Sequence, residues 1–514
     1  MRAARSIAGC LGLLVLASSP CAFAQKVEDA VRHDVSPPLS TIRPPLKAQG
    51  AFVVEHRVKK LPPLPTKLAA LADTALQKAA TKRLPIGPVA TFPGVGLGNF
   101  TITGDPPDTV GSVGTTQYVQ WVNTGLAVFD KSNGKMVLGP VDGNTLFTGF
   151  GGNCENFNDG DPIVLFDKAA KRWFLTQFAV TNPPFSQCIA VSTSDDALGT
   201  YARYEFQYQD FNDYGKFGVW PDAYYGTYNM FRGNAFLGAK VCAFERAKML
   251  AGEAARMVCF DVANEGGLLP ADLDGATAPP AGAPNYVMNF GSDRLNLWRF
   301  HVDWATPASS TLSGPTAIRT APFTPLCDSA ATPGVCVKQK GTTQLLDTLS
   351  DRLMFRLAYR NFGTQESLVV NHSVAVGTVG GVRWYEVRSP GTTPVIQQQG
   401  TYAPSTLFRW MGSAAMDKIG NMAMGYTVSG SSTFPNIRFT GRSASDPPGQ
   451  MAAEQTAVTG VGSQLRPDRW GDYSSMSVDP TDDCTFWFTT QHPAKSAPSN
   501  WQTSVVRFKF TSCQ

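Results

Sequence analysis

The sequence predicts an all-β chain, specifically a β-propeller of about seven blades. From about residue 95 onward, short runs rich in Val, Phe, Tyr, Trp and Thr are separated by Gly, Asp, Asn and Pro, as in strands joined by turns. Helical periodicity is nearly absent there, apart from short turns expected around Arg246 to Ala255. The stretch RWGDYSSMSVDP at 469–480 is echoed by RWMGSAAMD at 409–417, and such self-similarity indicates a repeat architecture.

The repeat unit consists of an apolar run, an Asp-led turn and a second apolar or aromatic run. The turns are headed by Asp167, Asp417 and Asp479. An Asp side chain closes such a turn by accepting hydrogen bonds from backbone N–H groups downstream. We therefore interpret these three aspartates as structural.

Counting the first run of each unit gives the number of blades. The runs begin at residues 108, 161, 222, 286, 351, 410 and 472. Units of roughly 50–65 residues with three or four strands each favour a propeller, with a large barrel or two sandwiches as alternatives. An open ring leaves a sheet edge exposed, so we expect residues near 90–105 to pair with VVRFKF at 505–510.

The N-terminus predicts export. Arg2 and Arg5 precede the apolar run Ile7 to Ala17, and Ala22-Phe23-Ala24 matches a signal peptidase site. Residues 1–24 are therefore expected to be a signal peptide, and the product to be periplasmic or extracellular. A lipoprotein at Cys10 is the alternative, although the apolar core follows that cysteine instead of preceding it.

Charge and hydropathy exclude two classes of partner. Without Arg2 and Arg5, 42 of the 44 basic side chains remain against 40 acidic ones, which excludes a general basic footprint for nucleic acid. After the signal, no stretch approaches the roughly 20 apolar residues that span a membrane. The oligomeric state is left open.

Eight cysteines remain after the signal, and an even number in an oxidising compartment indicates disulfides. Closing a short loop costs the least chain entropy, so neighbours in sequence are expected to pair. The predicted pairs are Cys154–Cys188, Cys242–Cys259, Cys327–Cys336 and Cys484–Cys513, with one or two free buried thiols as the alternative.

Residues 25–90 differ from the rest of the chain. Frequent prolines predict an extended arm, and the leucine spacing in KLAALADTALQKAATKR at 67–83 predicts one helix. The sequence leaves open whether this arm packs on the main domain, 91–514, or is a removable pro-segment.

The chain resembles a group of exported, mostly uncharacterised bacterial proteins in which WPDAYY, RLAYRN, RWYE and RWGDYSSMSVDP with DDCTFW recur in this order. The resemblance covers roughly residues 100–513. More distantly, the Asp-led turns are similar to those of sialidase-like propellers, whose Asp boxes read Ser-x-Asp-x-Gly-x-Thr-Trp. Here only fragments remain, such as Asp417 to Gly420 with no Thr-Trp following. The resemblance therefore implies the architecture and not the activity.

In a propeller the first strands of all blades begin around one channel mouth, so the starts of these runs are expected to converge. We predict that Asp222, Asp472 and Tyr473 are the catalytic candidates. Paired carboxyls and neighbouring Arg groups can separate an acid from a base at one pH. Asp108 and Arg356 stand at further starts, and the predicted ligand-binding residues are Asp161, Trp220, Arg352, Arg409, Trp410, Arg469 and Trp470. The alternative is that these Asp and Arg residues only lock neighbouring blades together.

Other motifs of metal sites and active sites are absent or incomplete in the sequence. The five histidines lack zinc-site spacing, and no nucleophile elbow or P-loop is present. NFNDGDP at 156–162 resembles a calcium loop in composition, with the glycine one position early, so a structural calcium is possible and no other cofactor is expected. We expect Glu386 to be an outer-strand charge.

Two hypotheses follow, and the sequence does not decide whether the protein is an enzyme. It is either a propeller that binds a glycan, protein or envelope component at the mouth, or a sialidase-like glycan hydrolase or lyase with carboxylates and Tyr in an Arg-lined pocket. The absence of a complete catalytic motif favours the first.

Overall fold

The computed structural model describes residues 25–43, 61–62, 72–80, 82–328 and 334–514. The predicted signal peptide lies outside them. Four strands belong to the N-terminal part of the chain, namely β1 (Gln25–Asp29), β2 (Arg32–Val35), β3 (Leu76–Gln77) and β4 (Ala90–Gly96).

The chain then forms antiparallel sheets in which consecutive strands are neighbours. The first three groups are β5 (Val110–Val113), β6 (Gln117–Val122), β7 (Gly125–Asp130) and β8 (Met136–Asp142); β9 (Gly160–Asp167), β10 (Arg172–Ala179), β11 (Phe185–Ser192) and β12 (Tyr201–Tyr208); and β13 (Phe211–Val219), β14 (Tyr224–Arg232), β15 (Ala235–Phe244) and β16 (Arg256–Val262).

The middle of the chain forms a nine-stranded sheet and a small two-stranded one. Their strands are β17 (Leu269–Asp274), β18 (Asn285–Phe290), β19 (Arg294–His301) and β20 (Thr311–Arg319); β21 (Val335–Val337) and β22 (Leu346–Asp347); and β23 (Met354–Asn361), β24 (Glu366–Val376), β25 (Val379–Arg388) and β26 (Val395–Tyr402). Eight of the nine strands form two antiparallel groups joined by parallel pairing of β17 with β23, and the ninth, β3, pairs in parallel with β26.

Two further sheets complete the chain. Their strands are β27 (Phe408–Met416), β28 (Met422–Gly430), β29 (Thr433–Arg442) and β30 (Gln455–Val458); and β31 (Ser475–Val478), β32 (Thr485–Pro493) and β33 (Trp501–Lys509). Helical segments are short: α1 (Gly152–Asn156), α2 (Arg246–Ala251) and 3-10 turns at Leu39–Thr41, Gly143–Phe147 and Pro307–Ser309. Within the described ranges, no helix is long and apolar enough to cross a membrane.

The first strands of these groups form a closed ring. They contact one another in the order β5, β9, β13, β17, β23, β27 and β31, and β31 contacts β5 again. Aromatic side chains fill the space between neighbouring sheets: the ring centroids of Phe174 and Phe217 are 5.4 Å apart, and those of Phe439 and Phe508 are 4.1 Å apart. A ring of antiparallel sheets with their first strands at the centre is a β-propeller.

The ring closes as the sequence predicts. β33 pairs antiparallel with β4, with Val505 opposite Phe92. The last sheet therefore contains one strand from the N-terminal side of the domain, and this strand covers the edge of β33.

All four predicted disulfides are confirmed, so none of the eight cysteines is a free thiol. The pairs are Cys154–Cys188, Cys242–Cys259, Cys327–Cys336 and Cys484–Cys513. Each joins neighbours in sequence, in agreement with the low entropic cost of short loops.

The described parts of residues 25–90 pack on the rim of the propeller. β1 adds a fifth strand beside β16, and β2 adds one beside β12. The predicted helix is wrong for residues 72–80, where β3 pairs in parallel with β26, and for 82–83, which are not helical; its other positions, 67–71 and 81, lie outside the described residues. The side chain of Gln77 donates to the backbone oxygen of Met451 and accepts from its nitrogen, at 2.8 and 2.9 Å. These contacts with the propeller outweigh local helical propensity.

Candidate functional site: the channel mouth

The first strands carry a repeated bulge at one end of the channel. On β9, Asp161 and Pro162 together oppose a single residue of β10. On β13, Tyr214 and Gly215 together oppose a single residue of β14. Equivalent positions have positive φ, between 46° and 57°: Asp108, Asp161, Tyr214, Met411 and Asp472. A bulge re-aims the side chain of the strand that carries it. Here it turns several aspartates toward the mouth.

Of these positive-φ residues, all but Met411 line a narrow cavity of about 50 Å³, which is room for a few water molecules. Four predicted site residues line it: Asp161, Arg352, Arg469 and Asp472. Asp108 lies there too, as expected from its place at the start of the first run. Further polar and aromatic lining residues include Asp105, Asn123, Asp159, Phe178, Asp213 and Tyr214.

Asp108 and Asp161 form a carboxyl pair at the centre of the mouth. The pKa of Asp108 is well above its usual range because of burial and the nearby carboxyls of Asp472 and Asp161. Asp161 Oδ2 also accepts a hydrogen bond from Tyr214 N at 3.1 Å. Asp108 is 2% exposed, and its Oδ1 has no hydrogen-bond partner among the described residues. Burial beside other carboxyls therefore favours the protonated form of Asp108, and its Oδ1 remains an unused acceptor.

Asp213 is a second carboxyl with a raised pKa. Burial and the charge of Asp161 raise its pKa to about 7, while Arg352 opposes the shift. This group is therefore divided between its acid and carboxylate forms near neutral pH.

Arg469 lies between two carboxylates. Its guanidinium forms an ion pair with Asp472, and its Nε lies 3.8 Å from Asp347 Oδ2. Burial raises the pKa of Asp347 to about 6, against the opposing effect of Arg469. The positive charge of Arg469 is thus balanced within the protein.

Arg352 is fully buried and is oriented by two contacts. Its Nε and Nη2 donate to Asp351 at 2.7 and 3.1 Å, and its guanidinium lies 4.4 Å from the ring centre of Tyr214. Its Nη1 has no hydrogen-bond partner among the described residues. The cavity therefore has one unused buried donor as well as one unused buried acceptor.

Lys216 lies behind the carboxyl pair. Its Nζ is 3.6 Å from the ring centre of Tyr214 and 3.8 Å from that of Tyr473, and it donates to Gly215 O at 3.1 Å. Burial lowers its pKa to about 8, against the raising effect of Asp161, Asp108 and Asp472. Tyr473 is therefore a packing partner of Lys216 and does not line the cavity.

Farther down, buried ion pairs fill the channel. Arg356 binds Asp272 and Asp274, and Lys168 Nζ lies 2.7 Å from Asp274 Oδ1. Arg356, which the sequence places at a run start, is therefore part of this ion-pair network and not of the mouth.

Asp222 lies away from the predicted position. Its run forms β14, the second strand of its sheet, whereas the first strand is β13. Because β14 runs antiparallel to β13, Asp222 is at the end of β13 opposite Asp213. Tyr225 donates to its carboxyl at 3.2 Å, and burial raises its pKa to about 6. The run at 286 is likewise a second strand, β18.

The predicted stacking faces are not available at the mouth. Trp220, Trp410 and Trp470 are each at most 1% exposed. Trp410 packs on Trp470 with ring centres 5.8 Å apart, and Trp220 packs between other aromatic rings. Large flat side chains at these positions contribute to the core between sheets.

Arg409 also lies outside the mouth. Its Nε and Nη2 donate to Glu454 at 2.9 and 2.8 Å, and Arg438 binds the same carboxylate at 2.6 Å. The two Arg-Trp pairs therefore have different environments, because Arg469 contacts the mouth carboxylates and Arg409 an internal carboxylate.

Side chains of the calcium-like loop bind the protein's own backbone. Asn158 Nδ2 donates to Thr124 O, and Asp159 accepts hydrogen bonds from the backbone of Val180 and Thr181 at 2.5 and 2.8 Å. Among the described residues, no three His, Cys, Asp or Glu side chains are placed to hold a metal ion. Glu386 lies buried on β25, where Ser367, Arg388 and Gln398 bind it.

Sequence reasoning missed Asp213, Tyr214 and Lys216. A signal for them exists in the spacing, since Asp108, Asp161 and Tyr214 are 53 residues apart in each step. A search for the 53-residue spacing, instead of for further Asp residues, would have identified β13 as the first strand of its sheet.

Comparisons with known proteins give remote likenesses only. No protein-family model matches the chain, and no curated protein matches it. Similar solved structures include an α-L-arabinofuranosidase from Lactobacillus brevis (10% identity, TM-score 0.28, covering 68% of this chain and 90% of that one). The N-terminal domain of Nup159 (9%, 0.32, 84% and 99%) and an exo-β-1,3-galactanase from Clostridium thermocellum (9%, 0.29, 78% and 91%) are others. With TM-scores near 0.3, we argue neither the fold nor the function from them.

Proposed function

We propose that the protein is an exported, seven-bladed β-propeller that binds a glycan at its channel mouth. Counting blades requires that β17–β20 and β23–β26 be separate blades despite the parallel pairing of β17 with β23. Export is supported by the four disulfides, since disulfides persist in oxidising compartments.

One observation supports glycan binding most directly. Asp108 and Arg352 line the same cavity, and Asp108 Oδ1 and Arg352 Nη1 are both buried with no hydrogen-bond partner among the described residues. Leaving such groups unpaired costs about 1–3 kcal/mol each, so a ligand that pairs both recovers that energy. Vicinal hydroxyl groups of a sugar supply a donor and an acceptor at adjacent carbons.

The cavity admits only part of such a ligand. About 50 Å³ is too small for a sugar ring, so one edge of a terminal residue enters and the rest lies against the outer face. This favours recognition of a chain end.

Mouth variants test this proposal. A glycan array should identify ligands, and calorimetry should then show at least a tenfold loss of affinity in Asp108→Asn. The matched control is Asp261→Asn, whose carboxylate is 45% exposed on β16 and pairs with Lys240. Binding that is unchanged in Asp108→Asn, or equally weakened in Asp261→Asn, would remove the mouth as the site.

A glycan hydrolase is the second candidate, favoured by Asp213. A carboxyl with a pKa near 7 beside a second carboxyl, Asp161, suits an acid that donates a proton at neutral pH. If the protein is a hydrolase, a reducing-sugar assay on array-identified glycans should show turnover that Asp213→Asn abolishes while binding persists. Binding without turnover leaves the protein a non-catalytic glycan binder.

A further inference from the structure

The carboxyl groups at the mouth outnumber the cations. Two guanidinium groups, those of Arg352 and Arg469, line the cavity. The acidic lining residues are Asp105, Asp108, Asp159, Asp161, Asp213 and Asp472. The cavity is therefore acidic, although its two arginines suggest an anion site when the sequence is read alone.

Both guanidinium groups already have carboxylate partners. Arg352 makes two hydrogen bonds to Asp351, and Arg469 lies between Asp472 and Asp347. An anionic ligand would compete with these carboxylates and approach the others. A carboxylate or phosphate is thus disfavoured at this mouth.

The remaining carboxyls are compensated only in part. Burial and neighbouring carboxyls raise the pKa of Asp108 and of Asp213, and the ammonium group of Lys216, which is near them, lies against two tyrosine rings. Lys216 does not line the cavity. A positive charge placed in the cavity itself would favour the carboxylate forms of Asp108 and Asp213.

The side chains also suit an ammonium group in shape. The cavity wall includes the aromatic side chain of Phe178 as well as carboxyls, and ammonium groups bind to both kinds of surface. A protonated amine with its neighbouring carbon is close in size to the few water molecules that 50 Å³ holds.

We infer that the glycan recognised at the mouth carries a free amino group, as in a deacetylated amino sugar. Its ammonium group donates to Asp108 Oδ1, and the oxygen of the vicinal hydroxyl accepts from Arg352 Nη1. This inference rests on the proposed function, and it narrows the ligand from glycans in general to those with a primary amine.

Two oligosaccharides that differ only in this group test the inference. The hexamer of glucosamine and the hexamer of N-acetylglucosamine share one backbone, and acetylation removes the charge. At about 0.15 M salt, where weak long-range attraction is screened, calorimetry should give at least tenfold tighter binding of the glucosamine hexamer. Asp108→Asn should remove most of that difference, and Asp261→Asn should leave it unchanged.

Each other result has a distinct meaning. Equal or tighter binding of the acetylated hexamer, lost in Asp108→Asn, overturns the amine inference and supports glycan binding at the mouth. Binding of the glucosamine hexamer that survives in Asp108→Asn indicates nonspecific attraction and also overturns it. No binding of either hexamer overturns it as well, and the glycan array with the same variants then decides the proposed function separately.

Discussion

The two ends of the propeller channel use aspartate in opposite ways. On the face opposite the mouth, Asp167, Asp417 and Asp479 head turns, and each accepts a hydrogen bond from a backbone N–H at 2.9–3.0 Å. At the mouth, Asp108 and Asp161 lie on backbone of positive φ, and the carboxyls of Asp472 and Asp161 raise the pKa of the buried Asp108. One set stabilises the local chain, whereas the other places like groups side by side at an energetic cost. Such a cost at a cavity is typical of binding sites.

Ring closure is the condition for this difference, because only closure brings Asp472 of the last sheet beside Asp108 of the first. Deleting residues 500–514 removes β33, its pairing with β4 and the partner of Cys484. We expect loss of the whole cooperative unfolding transition, measured by calorimetry. Retention of a full transition in the truncated protein would show that the sheets do not depend on closure.

The opposite face should respond to mutation through stability. Asp167 is fully buried, where Arg246 binds both its oxygens at 2.7 and 3.1 Å and Tyr224 donates to it at 3.0 Å. Asp167→Asn leaves a mostly buried guanidinium without its counter-charge, so we expect a loss of about 3 kcal/mol in urea unfolding. Ligand binding by the remaining folded protein should be unchanged. A loss below about 0.5 kcal/mol would contradict the structural role of this aspartate.

The stability of the protein should depend on pH in the direction set by the raised pKa of Asp213 at the mouth. Its pKa is raised to about 7 in the folded protein, so the folded state holds a proton that the unfolded state releases near pH 4. The contribution of this group to stability is therefore greatest below about pH 4 and is lost as the pH rises to about 7. Asp213→Asn should flatten this part of the stability profile, measured by urea unfolding at several pH values.

The control for this measurement is Asp261→Asn, which should reproduce the wild-type slope. If the stability of wild type and of Asp213→Asn changes with pH in the same way, the pKa of Asp213 is not raised in the folded protein.

The two Arg-Trp pairs provide the smallest and most specific comparison. Arg409→Lys loses the bidentate contact with Glu454, so we expect the melting temperature to fall by a few degrees with ligand affinity unchanged. Arg469→Lys changes the ion pair with Asp472 at the mouth. We therefore expect weaker ligand binding and a smaller fall in melting temperature than in Arg409→Lys. Calorimetry and thermal unfolding of both variants check this, and the reverse pattern would exchange the roles of the two residues.

The sequence by itself determined the features that depend on local chemistry. Disulfides between neighbours, the structural role of the Asp-led turns and the closing strand near Val505 all follow from short loops, turn chemistry and edge protection. The sequence also predicted that first strands begin near Asp108 and Asp161.

Only the tertiary structure decided which strand of each sheet lies innermost and which side chains meet. Asp222 and Tyr214 belong to adjacent antiparallel strands, so a one-strand error in the sequence reading moves the site residue to the opposite end of the channel. Arg409 and Arg469 have the same neighbour in sequence, yet Glu454 binds one while Asp472 binds the other. These outcomes depend on packing between residues far apart in the chain, which local residue patterns do not specify.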